Sequence, residues 1–379
     1  MSPPLGEPPR VVCPIIDVPN VELAPVSAFD PVVSFLASRG SPPETKRFPR
    51  GSAFADGRLD LCKQGLGVRG LVRVLEAAEG HPWIEHLLLG TNALGDQGAA
   101  ALGRALERGL PLHTVYAGCN GITDVRPLAS ALAAHRPVRA LWLKRNPLDL
   151  AALRVLLASL ARSNVRTLDL TNCALGDEGC AEVADGLAGT PIESLYLGGN
   201  GLASAKPLAR LIARADSRLA HLYLGASRLG GQAEKLFLAL PLARAMRTLD
   251  LASNGLTSQD VRDMGRAVAS SSLVALSFGT SRAARKLQEH ANALEDDTVP
   301  ELVAAMGGLA ALDLRGTSLT SRGAKALLAA RDAGGHRTRL LFGAGIARTF
   351  RRAGALHEGQ PEDPTWGNED ARFIRSVYR

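Results

Sequence analysis

From residue 84 onward an apolar residue, two others, an apolar, one other and an apolar, followed by Asn and Leu, recur about every 27 residues. Ile84, Leu87, Leu89, Asn92 and Leu94 form one copy; Ile192, Leu195, Leu197, Asn200 and Leu202 form another. The second apolar position falls at Leu141, Leu168, Leu195, Leu222, Leu249 and Leu276, at intervals of 27. A unit of this length holds one short strand and one helix and cannot bury its apolar face alone, so it stacks on its neighbours. The expectation is an α/β solenoid, a horseshoe with a parallel β-sheet on the concave face and helices on the convex face, about eleven repeats long. A uniform stack of this kind offers a broad surface instead of a catalytic pocket.

The same register divides the chain. Residues 1–57 hold half of the 22 prolines, with one helix expected near Asp30 to Ser38, and read as a Pro-rich N-terminal cap and tail. Residues 58–346 carry the repeats, the first of them with Gln64 in place of Asn. Residues 347–379 turn polar and read as a C-terminal cap, with a closing helix expected from Asn368 to Tyr378. The interval from Leu276 to Leu312 is 36 residues, which places an insertion at about 279–291. Insertions in solenoids gather on the binding side, and Arg282 and Arg285 lie in this one.

The recurring Asn answers a geometric problem. Where each strand ends, the chain turns sharply and strands backbone amides and carbonyls, and a side-chain amide can satisfy both kinds. Asn92, Asn120, Asn146, Asn200 and Asn254 should stack as a ladder, with Cys173 filling one rung. Asp96 and Asp177, at the entries Leu-Gly-Asp-x-Gly, are expected to cap the helices that follow.

Strand side chains alternate, so the residue between the paired leucines should face the groove. In order these residues are Asp60, Leu88, Tyr116, Trp142, Asp169, Tyr196, Tyr223, Asp250, Ser277 and Asp313. Three of the four tyrosines and one of the three tryptophans of the chain fall in this register. Aromatic side chains give large contact area at low entropic cost and dominate interface hot spots. Glycines two residues on, Gly90, Gly118, Gly198 and Gly225, should leave the rings proud, with Lys144 and Arg315 supplying charge instead. The candidate protein-binding residues are therefore Tyr116, Trp142, Tyr196, Tyr223, Lys144, Asp169, Asp250, Asp313, Arg282 and Arg285. The competing reading is that the rings pack on one another to cover the sheet.

Composition narrows the chemistry. The net charge of +7 comes mostly from arginines scattered among acids, without a run of five like charges, which argues against a nucleic-acid footprint. No apolar stretch is long enough to cross a bilayer and the proline-rich start lacks a secretory core, so a cytoplasmic protein without membrane partner is expected. Cys13, Cys62, Cys119, Cys173 and Cys180 form an odd set without metal-ligand spacing and read as reduced thiols. The eight histidines form no ligand pair, and Cys62 and His86 sit too far apart for nucleophile and base. No catalytic, cofactor or metal site is expected, and the partner and oligomeric state stay open.

With its 27 to 28 residue period and the helix entries Leu94 to Gly98 and Leu175 to Gly179, the chain resembles the ribonuclease-inhibitor-like class of leucine-rich repeat proteins over about residues 58–346. That class includes ribonuclease inhibitor, Ran GTPase-activating protein and many bacterial proteins, and its members grip other proteins. The resemblance implies a non-enzymatic protein-protein interaction scaffold that binds a protein or peptide through the concave face. The alternatives are a regulator (activator) of a small GTPase, with Arg282 or Arg285 as charge donor, or a translocated bacterial effector.

Overall fold

The computed structural model describes residues 21–134, 137–202, 204–281, 290–355 and 368–378. It comprises two compact units, the first mainly residues up to Leu175 together with Glu369–Arg379, the second mainly Glu193–Asn368 together with Gly176–Gly189. Both are α/β leucine-rich repeat solenoid, strand then helix, repeated.

In the first unit, strands β1 (Lys46–Arg47), β2 (Ser52–Ala53), β3 (Arg58–Asp60), β4 (His86–Leu88), β5 (Thr114–Tyr116), β6 (Ala140–Trp142) and β7 (Thr167–Asp169) lie in chain order. From β3 onward pairing is parallel and in step: Leu59 faces Leu87, Leu87 faces Val115, Val115 faces Leu141 and Leu141 faces Leu168. These residues are buried against helices α2 (Gly67–Ala78), α3 (Gly95–Glu107), α4 (Arg126–Ala134) and α5 (Leu150–Leu160), which pack side by side. The β1–β2 hairpin joins β3 antiparallel, covering an edge that would otherwise present unpaired amides. The helix expected near Asp30 forms as α1 (Asp30–Ala37) and packs on α2.

The second unit repeats the plan with α6 (Gly176–Gly186), β8 (Ser194–Tyr196), α7 (Lys206–Ala213), β9 (His221–Tyr223), α8 (Glu234–Ala239), β10 (Thr248–Asp250), α9 (Met264–Ala269) and β11 (Ala275–Ser277). It continues through α10 (Val299–Ala305), β12 (Ala311–Leu314), α11 (Ser321–Ala333), β13 (Arg339–Phe342) and α12 (Arg348–Ala355). Leu195, Leu222, Leu249, Leu276, Leu312 and Leu340 are the buried row beneath its parallel strands.

Most strands stop after three residues for a local reason. The residue before most ladder positions is left-handed: Thr91 (φ 59°), Cys119 (φ 56°), Arg145 (φ 59°) and Asn172 (φ 54°) in the first unit, Ala226 (φ 60°) and Ser253 (φ 53°) in the second. Side chains other than glycine are strained there, and the ladder holds them. Asn146 Oδ1 accepts from the amides of Asn120 (2.9 Å) and Ile122 (3.1 Å), and its Nδ2 donates to the carbonyls of Ala117 (3.0 Å) and Leu143 (2.7 Å). Asn120 Oδ1 takes the Asn92 amide at 2.8 Å, and Asn92 in turn takes the amides of Gln64 and Leu66. Cys173 Sγ donates to Leu143 O at 3.4 Å, in the rung assigned to it. In the second unit Asn254 and Asn292 continue the pattern. Ser227 occupies a rung but is too short, and its buried Oγ lacks a partner.

The expectation that Asp96 caps its own helix is corrected. Asp96 accepts from the Thr123 amide (2.7 Å), the Asp124 amide (2.8 Å) and Thr123 Oγ1 (2.8 Å), all in the next repeat. Burial would raise its pKa, but these hydrogen bonds win and hold it below the ordinary value. Asp177 likewise takes the Ser204 amide at 3.0 Å. These carboxylates fasten one repeat to the next. The closing helix is also corrected: Glu369–Tyr378 is a 3-10 segment on the sheet face of the first unit, packed along β3, β4 and β5. Helix α12 packs separately on β13 in the second unit.

Candidate functional site

The candidate site is the sheet face turned away from the helices. In the first unit, strand register sets Asp60, Leu88, Tyr116, Trp142 and Asp169 in one row, as the alternation requires. The expectation of open rings is overturned here: Tyr116 and Trp142 are each 2% exposed, Leu88 is fully buried and Asp169 is 2% exposed. Gly90 and Gly118 do not leave Tyr116 proud. The ring lies down over them, so a Cβ on Gly90 would overlap the ring and one on Gly118 would come within 3.1 Å of the phenol oxygen. Lys144 reaches across the same ring, its Nζ 5.6 Å from the centroid.

Lys144 is 8% exposed, and burial lowers its pKa to about 8, against the attraction of Asp169. Burial likewise pushes the Asp169 carboxyl up, against Lys144 and the Thr171 amide that donates to Oδ1 at 2.8 Å. Two ionisable side chains lie under cover on this face, whereas the face turned to the helices is Leu and Val.

The cover is in part Glu369–Tyr378. Phe373 stacks on His86 with centroids 3.7 Å apart and planes 17° apart. Thr167 Oγ1 donates to Asp370 Oδ2 at 2.7 Å, and Lys63 Nζ donates to the Val377 carbonyl at 3.5 Å. Ile374 and Val377 are buried, while Arg372 and Arg375 point to solvent. His86 shares a 2.8 Å hydrogen bond with Thr114 Oγ1, and burial lowers its pKa to about 4, in opposition to Asp56 and together with His113, Arg58 and Arg372. Beside Val377 a hollow of about 390 Å³ is lined by Arg47, Asp60, Cys62, Lys63 and Gln64 among others. Burial raises the Cys62 thiol well above its ordinary value, with Asp60 adding to it, which is the wrong direction for a nucleophile.

In the second unit, Tyr196 and Tyr223 are half-buried and stack face to face, centroids 4.0 Å and planes 7° apart. Asn368 Nδ2 donates to Tyr196 Oη at 3.0 Å, and burial pushes the Tyr223 phenol up. A Cβ on Gly198 would run into the Gly225 backbone, so this glycine permits close strand exits instead of exposing a ring.

The acidic members of the row have a local duty that sequence reasoning missed. Asp60, Asp169, Asp250 and Asp313 each accept the amide two residues on, at Cys62 (3.0 Å), Thr171 (2.8 Å), Ala252 (3.0 Å) and Arg315 (3.0 Å). Asx residues commonly close such turns. Asp313 also binds Arg315 through both oxygens, at 2.6 to 3.1 Å, and the guanidinium remains half exposed. Arg282 and Arg285 lie outside the described residues. His86 was weighed only as a base for Cys62, and the segment Asn368 to Tyr378 only as a closing helix; that the two meet, with Thr167, was missed, because nothing local says what the apolar Phe373, Ile374 and Val377 touch.

Among the described residues no group of three or more His, Cys, Asp or Glu could hold a metal ion, and no helix is long and apolar enough to cross a membrane. The four described cysteines, Cys62, Cys119, Cys173 and Cys180, are buried.

Residues 163–184 match a family model described as leucine rich repeat. Among solved structures the chain is similar to the crystal structure of the Rad7 and Elc1 complex in yeast, at 18% identity and a TM-score of 0.43, covering 70% of this chain and 71% of that one. It is also similar to a protein from Bacteroides fragilis, at 16% identity and a TM-score of 0.44, covering 62% and 67%. No curated protein matches.

Proposed function

We propose that this chain is a non-enzymatic protein-interaction scaffold of the ribonuclease-inhibitor-like kind that works in a reducing, cytoplasmic compartment and holds a protein or peptide on its strand faces. The observation that carries the reading is the half-buried Tyr196–Tyr223 stack of the second unit, in the same row as Asp250 and Asp313 on the face away from the helices, while the opposite face is aliphatic. Half-buried stacked tyrosines give an apolar platform with polar rims, which is the composition of interface anchors. Arg315, fixed by Asp313 with its guanidinium half exposed, adds a preorganised donor fork.

The test is affinity capture with the intact chain and with Tyr196→Ala plus Tyr223→Ala. The double variant should lose a reproducible set of bound proteins at unchanged melting temperature. Identical capture profiles would remove these rings from the interface and with them the reading.

A further inference from the structure

We infer that the strand face of the first unit is a peptide-binding site whose built-in occupant is Glu369–Tyr378, and that its partner presents a displacing segment of the same chemistry. This inference rests on the scaffold reading above. The chemistry is a carboxylate, then an aromatic three residues on, an aliphatic at four and a branched aliphatic at seven, as in Asp370, Phe373, Ile374 and Val377.

Three observations carry it. First, the segment is held by the face and not by itself. It is a ten-residue 3-10 run, a geometry whose hydrogen bonds are poor and whose runs rarely exceed three or four residues. Its anchors are the Phe373 ring on His86, the Asp370 carboxylate on Thr167 and two aliphatic side chains, while Arg372 and Arg375 face solvent. Second, the surface beneath it is not that of a core. His86 and Thr167, which touch the segment, and Thr114, hydrogen-bonded to His86, are all below 9% exposed, as are Lys144 and Asp169 on the same sheet face, and buried ionisable groups are costly unless specifically partnered. Strands β3 to β7 contribute Leu59, Leu87, Val115, Leu141 and Leu168 to the opposite face, so these ionisable groups belong to this face. Third, the recognition elements are directional: a hydroxyl donor at Thr167, a flat imidazole at His86 and an ammonium at Lys63 meet a carboxylate, a ring and a carbonyl in chain order. Such a set reads a sequence, as peptide grooves do.

The test uses a fluorescent peptide of the sequence Glu369–Tyr378 and the full chain, intact or with Phe373→Ala plus Ile374→Ala to loosen the internal copy. Anisotropy titration should show the loosened chain binding at least about tenfold more tightly than the intact chain, because the internal segment competes. A peptide bearing Asp370→Asn and Phe373→Ala should not bind. Equal affinity for both chains, or none for either, overturns the inference. Hydrogen exchange of the intact chain gives an independent reading should the double variant fold poorly: amides of 369–378 should exchange at least about 100-fold faster than those of β4–β6. Exchange of both only through the same opening would make the segment a fixed part of the core and overturn the inference. Dimerisation of the intact chain by exchange of this segment would overturn it in favour of self-association. Because the capture experiment above reads Tyr196 and Tyr223 in the second unit, loss of this inference would leave that result standing.

Discussion

Replacing Asn146 by Ala tests whether the ladder holds the strand exits. The side chain serves four backbone groups, and their alternatives differ. The carbonyl of Ala117 keeps a second donor, Asn120 Nδ2 at 3.0 Å, and that of Leu143 keeps Cys173 Sγ at 3.4 Å. Each therefore loses one bond of two, at about 1 kcal/mol net apiece. The amides of Asn120 and Ile122 have Asn146 Oδ1 as their acceptor and are buried, so each becomes an orphan at roughly 1–3 kcal/mol. The sum is about 4–8 kcal/mol, a large part of the ~5–15 kcal/mol typical of a folded domain. Ser227→Ala is the control, because it deletes a buried hydroxyl that lacks a partner and should be neutral or stabilising by about 1 kcal/mol. With two compact units, one unfolding midpoint is not enough. Urea unfolding should be paired with native-state hydrogen exchange at β5 and β6, where the loss should concentrate. A cost below about 1 kcal/mol for Asn146→Ala, or an equal cost for Ser227→Ala, would refute the reasoning.

Ala93 and Ala174 are left-handed, at φ 53° and 58°, in a slot that holds Gly121, Gly201 and Gly255 in other repeats. Substituting Gly at either should raise stability by roughly 0.5–1 kcal/mol, read as a higher urea midpoint at unchanged slope. Gly90→Ala should cost about 1–3 kcal/mol as the Tyr116 ring is pushed aside, and Gly198→Ala more, because the obstacle there is the Gly225 backbone; thermal melts should keep that order. For His86 the sign is fixed by burial under Phe373: an opened imidazole takes up a proton below about 6.5 while the covered one resists to about 4. The closed segment therefore loses stability, by up to about 3 kcal/mol, as pH falls through that window, and none above it. Protection factors for 369–378 should fall accordingly, and His86→Gln should flatten the profile.

The repeat was legible in the sequence because each rung depends on residues within about 27 positions of one another. Period, strand positions, Asn ladder and even the Cys173 rung follow from a pattern that every copy restates. The face was legible in direction and not in exposure. Alternation places Tyr116 and Trp142 on the correct side, yet whether a ring stands up or lies over Gly90 depends on rotamers and on Lys144 from the next strand. Asp96 shows the same limit, since a carboxylate at a helix start has its own amides and those of the neighbouring repeat within reach, and the latter win here. The Phe373–His86 contact joins residues nearly 290 positions apart with no repeat to announce it.

The middle strand position then carries two duties that compete. Where it is Asp, the carboxylate is spent on the amide two residues on, and a partner can use only what remains, as Arg315 does at Asp313. Where it is Leu88, which offers no acceptor, the amide two residues on looks elsewhere, and Gly90 finds Cys62 Sγ at 3.1 Å. The side chains of Leu, Tyr and Trp lack the carboxylate that closes this turn at Asp60, Asp169, Asp250 and Asp313. On the proposed reading binding falls to the half-buried Tyr196 and Tyr223, so the variants that separate it from the turn bond are the ring truncations and not the Asp substitutions. Asp169→Ala or Asp250→Ala would weaken the strand exit and binding together.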